Sequence, residues 1–327
     1  MLGQRFKQAG DYLFRREKTT VYPAVLGIET TSRCNLDCIM CPRQEMTRQT
    51  GDMDIGLFER IIDDIKRKVE FVWLQDYGEP FLNKNIFRMI EYANKSGLKT
   101  GISTNATILN DDVIKGILDS KLDYIIFAFD GATKETYEKI RKGADFGKVG
   151  SNIKKFIIRK FENKTKIFTV IQCIYMENTE KEIIDFKKTW KLKGVDGIRI
   201  RQVTYSGNSG KFRNYLKGWP CYWLWSDPHI KWDGTVVPCC QDVNAVYPLG
   251  NMMENSFGEL WNSSKMIRLR QMHIDGKAGE ILLCKNCNMY QPSPILIMAS
   301  SFFSYFNVNR FVPRIETIIS SVRYLFR

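Results

Sequence analysis

The chain has 327 residues, 44% of them hydrophobic, and a formal net charge of +13. This length suits one large domain and a smaller one, and the composition is that of a globular protein rather than a disordered or fibrous one. No apolar run approaches the ~20 residues of a membrane-spanning helix, the N-terminus lacks a signal-peptide core, and an odd count of nine cysteines argues against a secreted disulfide framework. We therefore expect a cytoplasmic protein in a reducing compartment.

The first segment, residues 1–23, mixes apolar and basic side chains before any strand-like run begins. Its apolar members are Leu2, Phe6, Leu13 and Phe14, and its basic members are Arg5, Lys7, Arg15, Arg16 and Lys18. This pattern predicts an amphipathic N-terminal extension.

Three closely spaced cysteines follow the first strand-like run. Cys34, Cys38 and Cys41 have the spacing C-x3-C-x2-C. A cubane of four irons normally takes four thiolates, so three would leave one iron open for a substrate or cosubstrate, as catalytic zinc keeps an open position. A zinc site completed elsewhere and three unrelated core cysteines are the alternatives, although zinc motifs more often contain paired C-x2-C units.

Strand-like and helix-like segments alternate over residues 24–205, which predicts βα units around a parallel sheet. The strand candidates are residues 24–30, 71–76, 98–103, 123–129, 167–174 and 196–203. The helix candidates are residues 84–96, 110–120, 146–160 and 179–192, together with a helix capped by Asp54 whose apolar stripe contains Leu57, Phe58, Ile61, Ile62 and Ile65. We expect an α/β fold with six βα units, and the resemblance described below implies that they form an open partial barrel with its functional residues at the carboxyl ends of the strands.

A second group of cysteines follows the barrel segments. Its members are Cys221, Cys239, Cys240, Cys284 and Cys287. Asp233 and Gly234, between alternating apolar residues, predict a hairpin, and Ser256 with Glu259 forms a capping-box pattern that predicts a following helix. A hairpin, a helix and a final C-x2-C pair are able to hold either zinc or an iron–sulfur cluster.

The first cysteine group resembles the hallmark of the radical S-adenosylmethionine (radical SAM) enzymes, and later segments extend the resemblance. Residues 72–80, VWLQDYGEP, look like the G-G-E-P segment that gathers the methionine amino group of SAM, with Tyr77 at the place of the first glycine and Gly78 and Glu79 retained. The resemblance implies an open (β/α)6 radical SAM barrel and a [4Fe-4S] cluster held by Cys34, Cys38 and Cys41.

Two further segments resemble motifs of the same family. Residues 102–106, ISTNA, are similar to S-T-N-G, which implies that Ser103 and Asn105 contact the ribose of SAM, with Ala106 replacing the glycine. Residues 127–131, FAFDG, resemble S-x-D-G, in which Asp130 is retained and Ala128 replaces the serine. The resemblance therefore adds Ser103, Asn105 and Asp130 to the cofactor-binding residues Tyr77, Gly78 and Glu79.

Residues 206–290 resemble the SPASM or twitch extension of radical SAM enzymes, which carries auxiliary clusters. The matching phrases are residues 232–239 and 249–251. A full SPASM arrangement binds two clusters with about seven cysteines, so five cysteines imply one auxiliary [4Fe-4S] cluster. Its predicted ligands are Cys221, Cys239, Cys284 and Cys287. Cys240 is then left over, since adjacent residues at a strand end point to opposite sides.

The resemblance implies an oxidoreductase that cleaves S-adenosyl-L-methionine to a 5′-deoxyadenosyl radical and removes hydrogen from a substrate C–H bond. A fully ligated auxiliary cluster moves electrons, which favours a two-electron oxidation of a sugar or cyclitol alcohol. Arg201, with Arg199 and Gln202, is predicted to contact substrate from the sixth strand; a salt-bridged strand end is the alternative. An epimerase with Cys240 or Cys173 as hydrogen donor and a peptide- or protein-modifying enzyme are the alternative activities.

The tail, residues 291–327, alternates aromatic and basic side chains. It is predicted to cover the open edge of the barrel, with peripheral contact to an anionic membrane, and hence a lipid-linked substrate, as the alternative. The lysines are scattered, which argues against nucleic acid. A flavodoxin- or ferredoxin-type electron donor is the expected protein partner. The non-enzyme alternative is that the chain is a binding module that recruits a partner or a membrane.

Overall fold

The computed structural model describes residues 3–202, 218–285, 287, 289 and 292–298. Six strands alternate with helices, and each pairs in parallel with the next along the chain. These are β1 (Val25–Ile28), β2 (Phe71–Trp73), β3 (Lys99–Thr104), β4 (Tyr124–Ala128), β5 (Phe168–Tyr175) and β6 (Gly197–Gln202). The order confirms the predicted α/β class and the open barrel of six βα units.

Helices connect the strands and precede the first one. They are α1 (Gln4–Leu13), α2 (Ile55–Ile65), α3 (Ile86–Lys95), α4 (Asp111–Asp119), α5 (Lys134–Ile140), α6 (Phe146–Glu162), α7 (Glu177–Glu180) and α8 (Ile183–Trp190). The predicted helix over residues 179–192 is wrong in detail, because it is divided into α7 and α8. The Thr179 hydroxyl bonds both the amide nitrogen of Met176 and the carbonyl of Ile174, so it closes a turn ahead of α8. Helix α5 was not predicted because seven residues are too few to show a helical period.

The outer face of the sheet is apolar and packs against the helices. Asp54 caps α2 by accepting hydrogen bonds from the backbone nitrogens of Gly56 and Leu57, as predicted. The α2 side chains that are completely buried are Phe58, Ile61, Ile62 and Ile65. This stripe joins Leu26, Ile28 and Val72 of the strands in one core, which leaves the alternate strand positions to face the interior of the barrel.

A row of aromatic rings lies on the inner face of the barrel near the amino-terminal ends of its strands. The ring centroids of Phe71 and Trp73 are 4.9 Å apart, those of Trp73 and Tyr124 5.3 Å, and those of Tyr124 and Phe168 5.2 Å. Gly101 makes room for them, since a Cβ there would lie 2.5 Å from Phe71 and 2.6 Å from Trp73. Polar inner-face side chains are therefore found toward the opposite, carboxyl end.

The predicted hairpin is present and extends the barrel sheet. It consists of β7 (His229–Ile230) and β8 (Thr235–Val237), followed by β9 (Gly250–Asn251). Strand β7 pairs in parallel with β1, so the sheet has nine strands in the order β6-β5-β4-β3-β2-β1-β7-β8-β9. The predicted capping box of Ser256 and Glu259 opens α9 (Phe257–Trp261), and α10 (Ser264–Ile274) follows.

Buried charges line the β1–β7 junction. The Glu29 carboxylate, which is fully buried, pairs with Arg48 and accepts a hydrogen bond from the backbone nitrogen of Trp232 at 3.2 Å. The Lys231 ammonium, also fully buried, lies 2.6 Å from an oxygen of Asp76. Each buried charge is paired, as burial demands. The Lys231–Asp76 pair and the bond from Trp232 to Glu29 join the hairpin to the barrel.

Helix α1 packs against the segment that follows the barrel. Tyr12 is fully buried, with its ring 5.1 Å from Tyr222 and 5.6 Å from both Trp219 and Trp225. Within the described ranges, no helix has the length and apolar character needed to cross a membrane. Most of the predicted tail, residues 291–327, lies outside the described residues.

Gly27 allows β7 to lie against β1, because a Cβ at this position would be 2.3 Å from the His229 ring. We expect Gly27→Ala to destabilise the protein by roughly 1–3 kcal/mol through overpacking, measured as a lower unfolding temperature by circular dichroism under anaerobic conditions. Gly10→Ala in α1 is the matched control, since a Cβ there meets no atom within 4 Å. Equal unfolding temperatures for the two variants would contradict the close packing of β7 on β1.

Candidate active site

Three thiols come together in the loop that follows β1. Cys38 is buried and Cys34 and Cys41 are half-buried. Burial raises the pKa of the Cys38 thiol to about 11, Arg141 lowers it, and negative charge on Cys41 or Cys34 raises it, so the three sulfurs are within electrostatic reach of one another. The loop is tied to the end of α5 by the backbone nitrogen of Ile39, which donates to the carbonyl of Ile140 at 3.0 Å.

Gly78 and Glu79 brace this loop from the end of β2. A Cβ on Gly78 would lie 2.1 Å from the carbonyl oxygen of Thr31, and the Glu79 nitrogen donates to the Arg33 carbonyl at 2.8 Å. The buried Glu79 carboxylate accepts hydrogen bonds from the Thr104 hydroxyl at 2.8 Å and the Asn105 nitrogen at 2.7 Å. Burial raises the pKa of Glu79 to about 7, against these hydrogen bonds.

Asn105 connects the end of β3 to the first cysteine group. Its amide nitrogen donates to the Asn35 side chain at 3.0 Å and approaches the Cys34 sulfur at 3.8 Å, and its oxygen accepts from Thr107. Ala106 has a φ of +59°, in the left-handed region where glycine is usual. Ser103 lies on the inner face of β3, where its backbone nitrogen donates to Gln75 at 2.9 Å.

Asp130 lies at the end of β4 and holds an arginine that the sequence analysis missed. One Asp130 oxygen accepts from the Ile174 nitrogen at 2.6 Å, and the other is 2.7–2.8 Å from two guanidinium nitrogens of Arg141. The third, Nη1 of Arg141, lies 3.9 Å from the Cys38 sulfur. Both charged side chains are buried. Asp130 therefore positions a cation beside a cysteine of the first group.

Tyr77 links the first cysteine group to the hairpin. Its hydroxyl donates a hydrogen bond to the carbonyl oxygen of Cys240, and its ring centroid is 5.0 Å from the Lys231 ammonium. Lys231 is in turn paired with Asp76, the residue before Tyr77. Burial raises the pKa of Asp76, but Lys231 and His229 outweigh it and lower the value to about 2.

The second cysteine group converges beside α10. Burial raises the pKa of the Cys239 thiol, and charges on Cys240, Cys284, Cys221 and Cys287 raise it further, so the sulfurs of the second group are near one another. His273 was missed by the sequence analysis. Burial lowers its pKa to about 4, and its Nδ1 accepts a hydrogen bond from the Cys221 nitrogen at 3.4 Å, so its Nε2 carries the proton and donates to the Cys284 sulfur at 3.3 Å.

Cys240 and Arg201 come from opposite edges of the sheet, after β8 and on β6. Burial, Asp227 and Asp76 raise the pKa of the Cys240 thiol, whereas Arg201 lowers it, so the guanidinium acts on this sulfur across the barrel interior. Arg199 and Arg201 alternate with the buried Ile200 and are half-buried, and the Gln202 side chain lies outside the described residues.

Cys173 belongs to the apolar core with Ile171, so it faces the helices rather than the barrel interior.

The two donor sets suit iron–sulfur clusters of different kinds. Three thiols at the end of β1, with Asn105 and Arg141 as N–H donors toward sulfur, fit a cluster that keeps one iron open. Four convergent thiols in the second group fit a fully ligated cluster, with His273 as a hydrogen-bond donor. The only two histidines of the chain, His229 and His273, both lie beside the second cysteine group or Cys240. With only two histidines in the sequence, each was a candidate for a site near the cysteines.

Comparison with known proteins identifies two consecutive regions. Residues 28–186 match the radical SAM superfamily, and residues 221–288 match SPASM, an iron–sulfur cluster-binding domain. The first match covers the strands and loops that carry Cys34 to Asp130. The second covers the hairpin, α9, α10 and the second cysteine group.

Individual relatives are distant but span most of the chain. The S-adenosyl-L-methionine-dependent 2-deoxy-scyllo-inosamine dehydrogenase of Niallia circulans is 24% identical over 274 residues, or 81% of this chain and 92% of that protein. The tungsten-containing aldehyde ferredoxin oxidoreductase cofactor-modifying protein of Pyrococcus furiosus is 25% identical over 289 residues, or 73% and 81%. Among solved structures, BtrN in complex with AdoMet and 2-DOIA is similar in fold, with a TM-score of 0.57 at 18% identity over 82% of this chain and 94% of that one.

The two cysteine groups predict separate losses of iron. After anaerobic purification and reconstitution we expect about eight irons and eight sulfides per chain, and about four irons in Cys34→Ala or in Cys239→Ala. Cys240→Ala is the matched control for Cys239→Ala and is expected to retain about eight irons, because it is not among the predicted ligands. Loss of iron from Cys240→Ala, or full iron in Cys239→Ala, would contradict the ligand assignment.

Arg141 predicts a shift in the potential of the first cluster. A hydrogen bond to a cluster sulfur stabilises the reduced state, and about 1 kcal/mol corresponds to roughly 40 mV for one electron. We expect Arg141→Lys, which keeps the charge but loses the planar fork, to lower the potential by that order in an electron paramagnetic resonance redox titration. Lys139→Arg, an exposed exchange on α5, is the control; equal potentials would show that Arg141 does not act on the sulfur.

Proposed function

Because the chain belongs to the radical SAM superfamily and carries a C-terminal SPASM domain, we propose that it oxidises an alcohol carbon of a small sugar or cyclitol to a ketone. Its cofactors are a [4Fe-4S] cluster, S-adenosyl-L-methionine and an auxiliary iron–sulfur cluster. The observation that carries the proposal is the hydrogen bond from the Tyr77 hydroxyl to the Cys240 carbonyl. It joins the predicted SAM-binding segment directly to the neighbour of Cys239.

The ligand assignment follows the two cysteine groups. Cys34, Cys38 and Cys41 would hold the SAM-binding cluster, and Cys221, Cys239, Cys284 and Cys287 would hold an auxiliary [4Fe-4S] cluster. When bound, the first cluster and SAM supply a 5′-deoxyadenosyl radical, and the auxiliary cluster accepts one electron. The chain itself contributes the geometry, because Tyr77, Cys240 and the β1–β7 junction hold both groups at one end of the barrel.

The reaction balances as a two-electron oxidation. The carbinol carbon of the substrate would lose a hydrogen atom, its hydroxyl would lose a proton, and one further electron would leave. The first cluster with SAM would supply the hydrogen-atom acceptor, and the auxiliary cluster would supply the electron acceptor. The alcohol would become a ketone. SAM would become methionine and 5′-deoxyadenosine by taking one electron from the first cluster and the hydrogen atom from the substrate. A redox-neutral reaction would not need the auxiliary cluster as an electron acceptor.

Arg201 is the proposed substrate contact. Its guanidinium is half-buried at the end of β6 and acts on the Cys240 thiol across the barrel. Arginine stays protonated in proteins, so we assign it the orientation of the substrate hydroxyl and the stabilisation of developing negative charge on that oxygen, not the role of a base. Tyr77, Gly78, Glu79, Ser103, Asn105 and Asp130 remain the proposed SAM-site residues, with Glu79, Asn105 and Asp130 acting partly by holding the cysteine loop.

The substrate class is supported by one relative. The Niallia circulans protein, with 24% identity over 92% of its length, is a dehydrogenase of 2-deoxy-scyllo-inosamine. A small alcohol of the sugar or cyclitol class is accordingly the first substrate to examine. The cofactor-modifying relative from Pyrococcus furiosus favours keeping a larger substrate, a peptide, protein or cofactor, as the second candidate.

Epimerisation is the third candidate, and one observation favours it. Burial and two carboxylates keep the Cys240 thiol protonated by raising its pKa, and a hydrogen-atom donor must carry its S–H hydrogen.

We further propose that a flavodoxin- or ferredoxin-type protein donates electrons to the first cluster. For the tail we keep the proposal that it covers the open edge of the barrel, with contact to an anionic membrane as the alternative.

Deuterium labelling tests the proposed oxidation. With a panel of aminocyclitols and sugar alcohols carrying deuterium at the carbinol carbon, we expect the label in 5′-deoxyadenosine and one ketone per 5′-deoxyadenosine, measured by mass spectrometry. Cys287→Ala should still form labelled 5′-deoxyadenosine but lose the ketone, because the electron acceptor is gone. Arg201→Ala should raise KM and lower kcat for the same substrate.

Cys173→Ala is the control for these cysteine variants, since its thiol lies in the apolar core. Full ketone formation by Cys287→Ala would disprove the role of the auxiliary cluster. With unlabelled substrate in D2O, formation of an epimer that carries solvent deuterium, and loss of that epimer in Cys240→Ala, would replace oxidation by epimerisation.

A further inference from the structure

A mixed set of metal-ligand atoms lies next to the four predicted cluster ligands of the second cysteine group and includes the remaining cysteine of that group. Asp227, His229 and Cys240 each offer one atom, and the carboxylate oxygen, imidazole nitrogen and sulfur all lie within 4.8 Å of one another. Neither Asp227 nor His229 is used by the proposed oxidation. We propose that these three residues bind a zinc ion.

The His229 ring is oriented as a metal ligand. Its Nε2 faces an oxygen of Asp227 at 3.6 Å, and its Nδ1 faces an oxygen of Asp76 at 3.5 Å. Histidine ligands usually direct their second nitrogen at a carboxylate, which fixes the tautomer and the ring. Asp76 is suited to that role, because it is already held by Lys231 at 2.6 Å.

The His229 ring is held between two carboxylates at ion-pair distances rather than by short hydrogen bonds. The residue is only 7% exposed, and its Nδ1 is buried without a hydrogen-bond partner. Burial lowers the pKa of His229, but Asp76 and Asp227, 3.5 and 3.6 Å from the ring, outweigh it and raise the value to about 10. A zinc on Nε2 would leave the Nδ1 proton for Asp76, a short side-chain movement away. Gly27 fixes the ring, since a Cβ there would lie 2.3 Å from it.

The donor set and its spacing suit zinc. Nitrogen, sulfur and oxygen together form a borderline-soft set. Tetrahedral bonds of about 2.0–2.3 Å place two ligand atoms about 3.3–3.7 Å apart, and the His229–Asp227 separation of 3.6 Å is in this range.

Three protein ligands leave one coordination position, as in catalytic rather than structural zinc sites. Cys240 is also the residue that Tyr77 and Arg201 approach. An oxygen in the open position would therefore lie near the substrate end of the barrel, where zinc would ease the loss of a hydroxyl proton. That role rests on the proposed oxidation, whereas zinc binding itself does not.

Metal analysis of the reconstituted protein tests the site. After incubation with zinc chloride and anaerobic gel filtration, we expect one zinc per chain together with the full iron content. Zinc K-edge X-ray absorption should show one sulfur and three nitrogen or oxygen neighbours. His229→Gln and Asp227→Asn should lose the zinc while keeping the iron, which shows that they remain folded.

Asp233→Asn is the matched control, because this carboxylate is exposed at the hairpin turn and should retain the zinc. Four sulfur neighbours would place zinc in the second cysteine group and overturn the proposal. So would a wild-type zinc content no higher than that of His229→Gln. A protein that holds this zinc but forms no ketone would retain the metal site and reject the oxidation.

Discussion

The pairing of buried charges at the β1–β7 junction is the interaction on which the site depends. Glu29 pairs with Arg48, and Asp76 pairs with Lys231, with Glu29 and Lys231 fully buried. Removing one member of such a pair leaves an uncompensated charge, which costs about 3–5 kcal/mol. Arg48 also donates to the Val243 carbonyl at 2.7 Å, so the loop after the first cysteine group is fixed to the loop after β8.

That constraint explains why the two cysteine groups are brought toward one end of the barrel. Strand β7 extends the sheet at β1, and the chain after β8 brings Cys240 within electrostatic reach of Arg201 on β6. The two edges of an open sheet thereby face each other across the interior. In the proposed oxidation, a substrate between them would meet the predicted SAM-binding segment on one side and the neighbour of a predicted auxiliary-cluster ligand on the other.

Several residues that the motifs predict to bind SAM also stabilise the structure around the first cysteine group. Both oxygens of Glu79 accept hydrogen bonds from Thr104 and Asn105, and both oxygens of Asp130 are taken by Arg141 and the Ile174 nitrogen. Their motifs therefore also hold the cysteine loop against β3 and α5. The sequence motif shows that a carboxylate is needed at each of these positions. It does not show which hydrogen-bond donors the carboxylate contacts, because those donors come from other parts of the chain.

The sequence by itself determined the elements whose causes are local. Alternation of apolar segments predicted the six parallel strands, Asp54 and Ser256 predicted two helix starts, and Asp233-Gly234 predicted the hairpin, because caps, turns and periodicity act over a few residues. Only the tertiary structure decided that the hairpin joins β1, that Arg141 reaches Cys38, that His273 reaches Cys284, and that Asp227, His229 and Cys240 meet. These contacts join residues far apart in the chain, and their partners are selected by packing and by the pairing of buried charge.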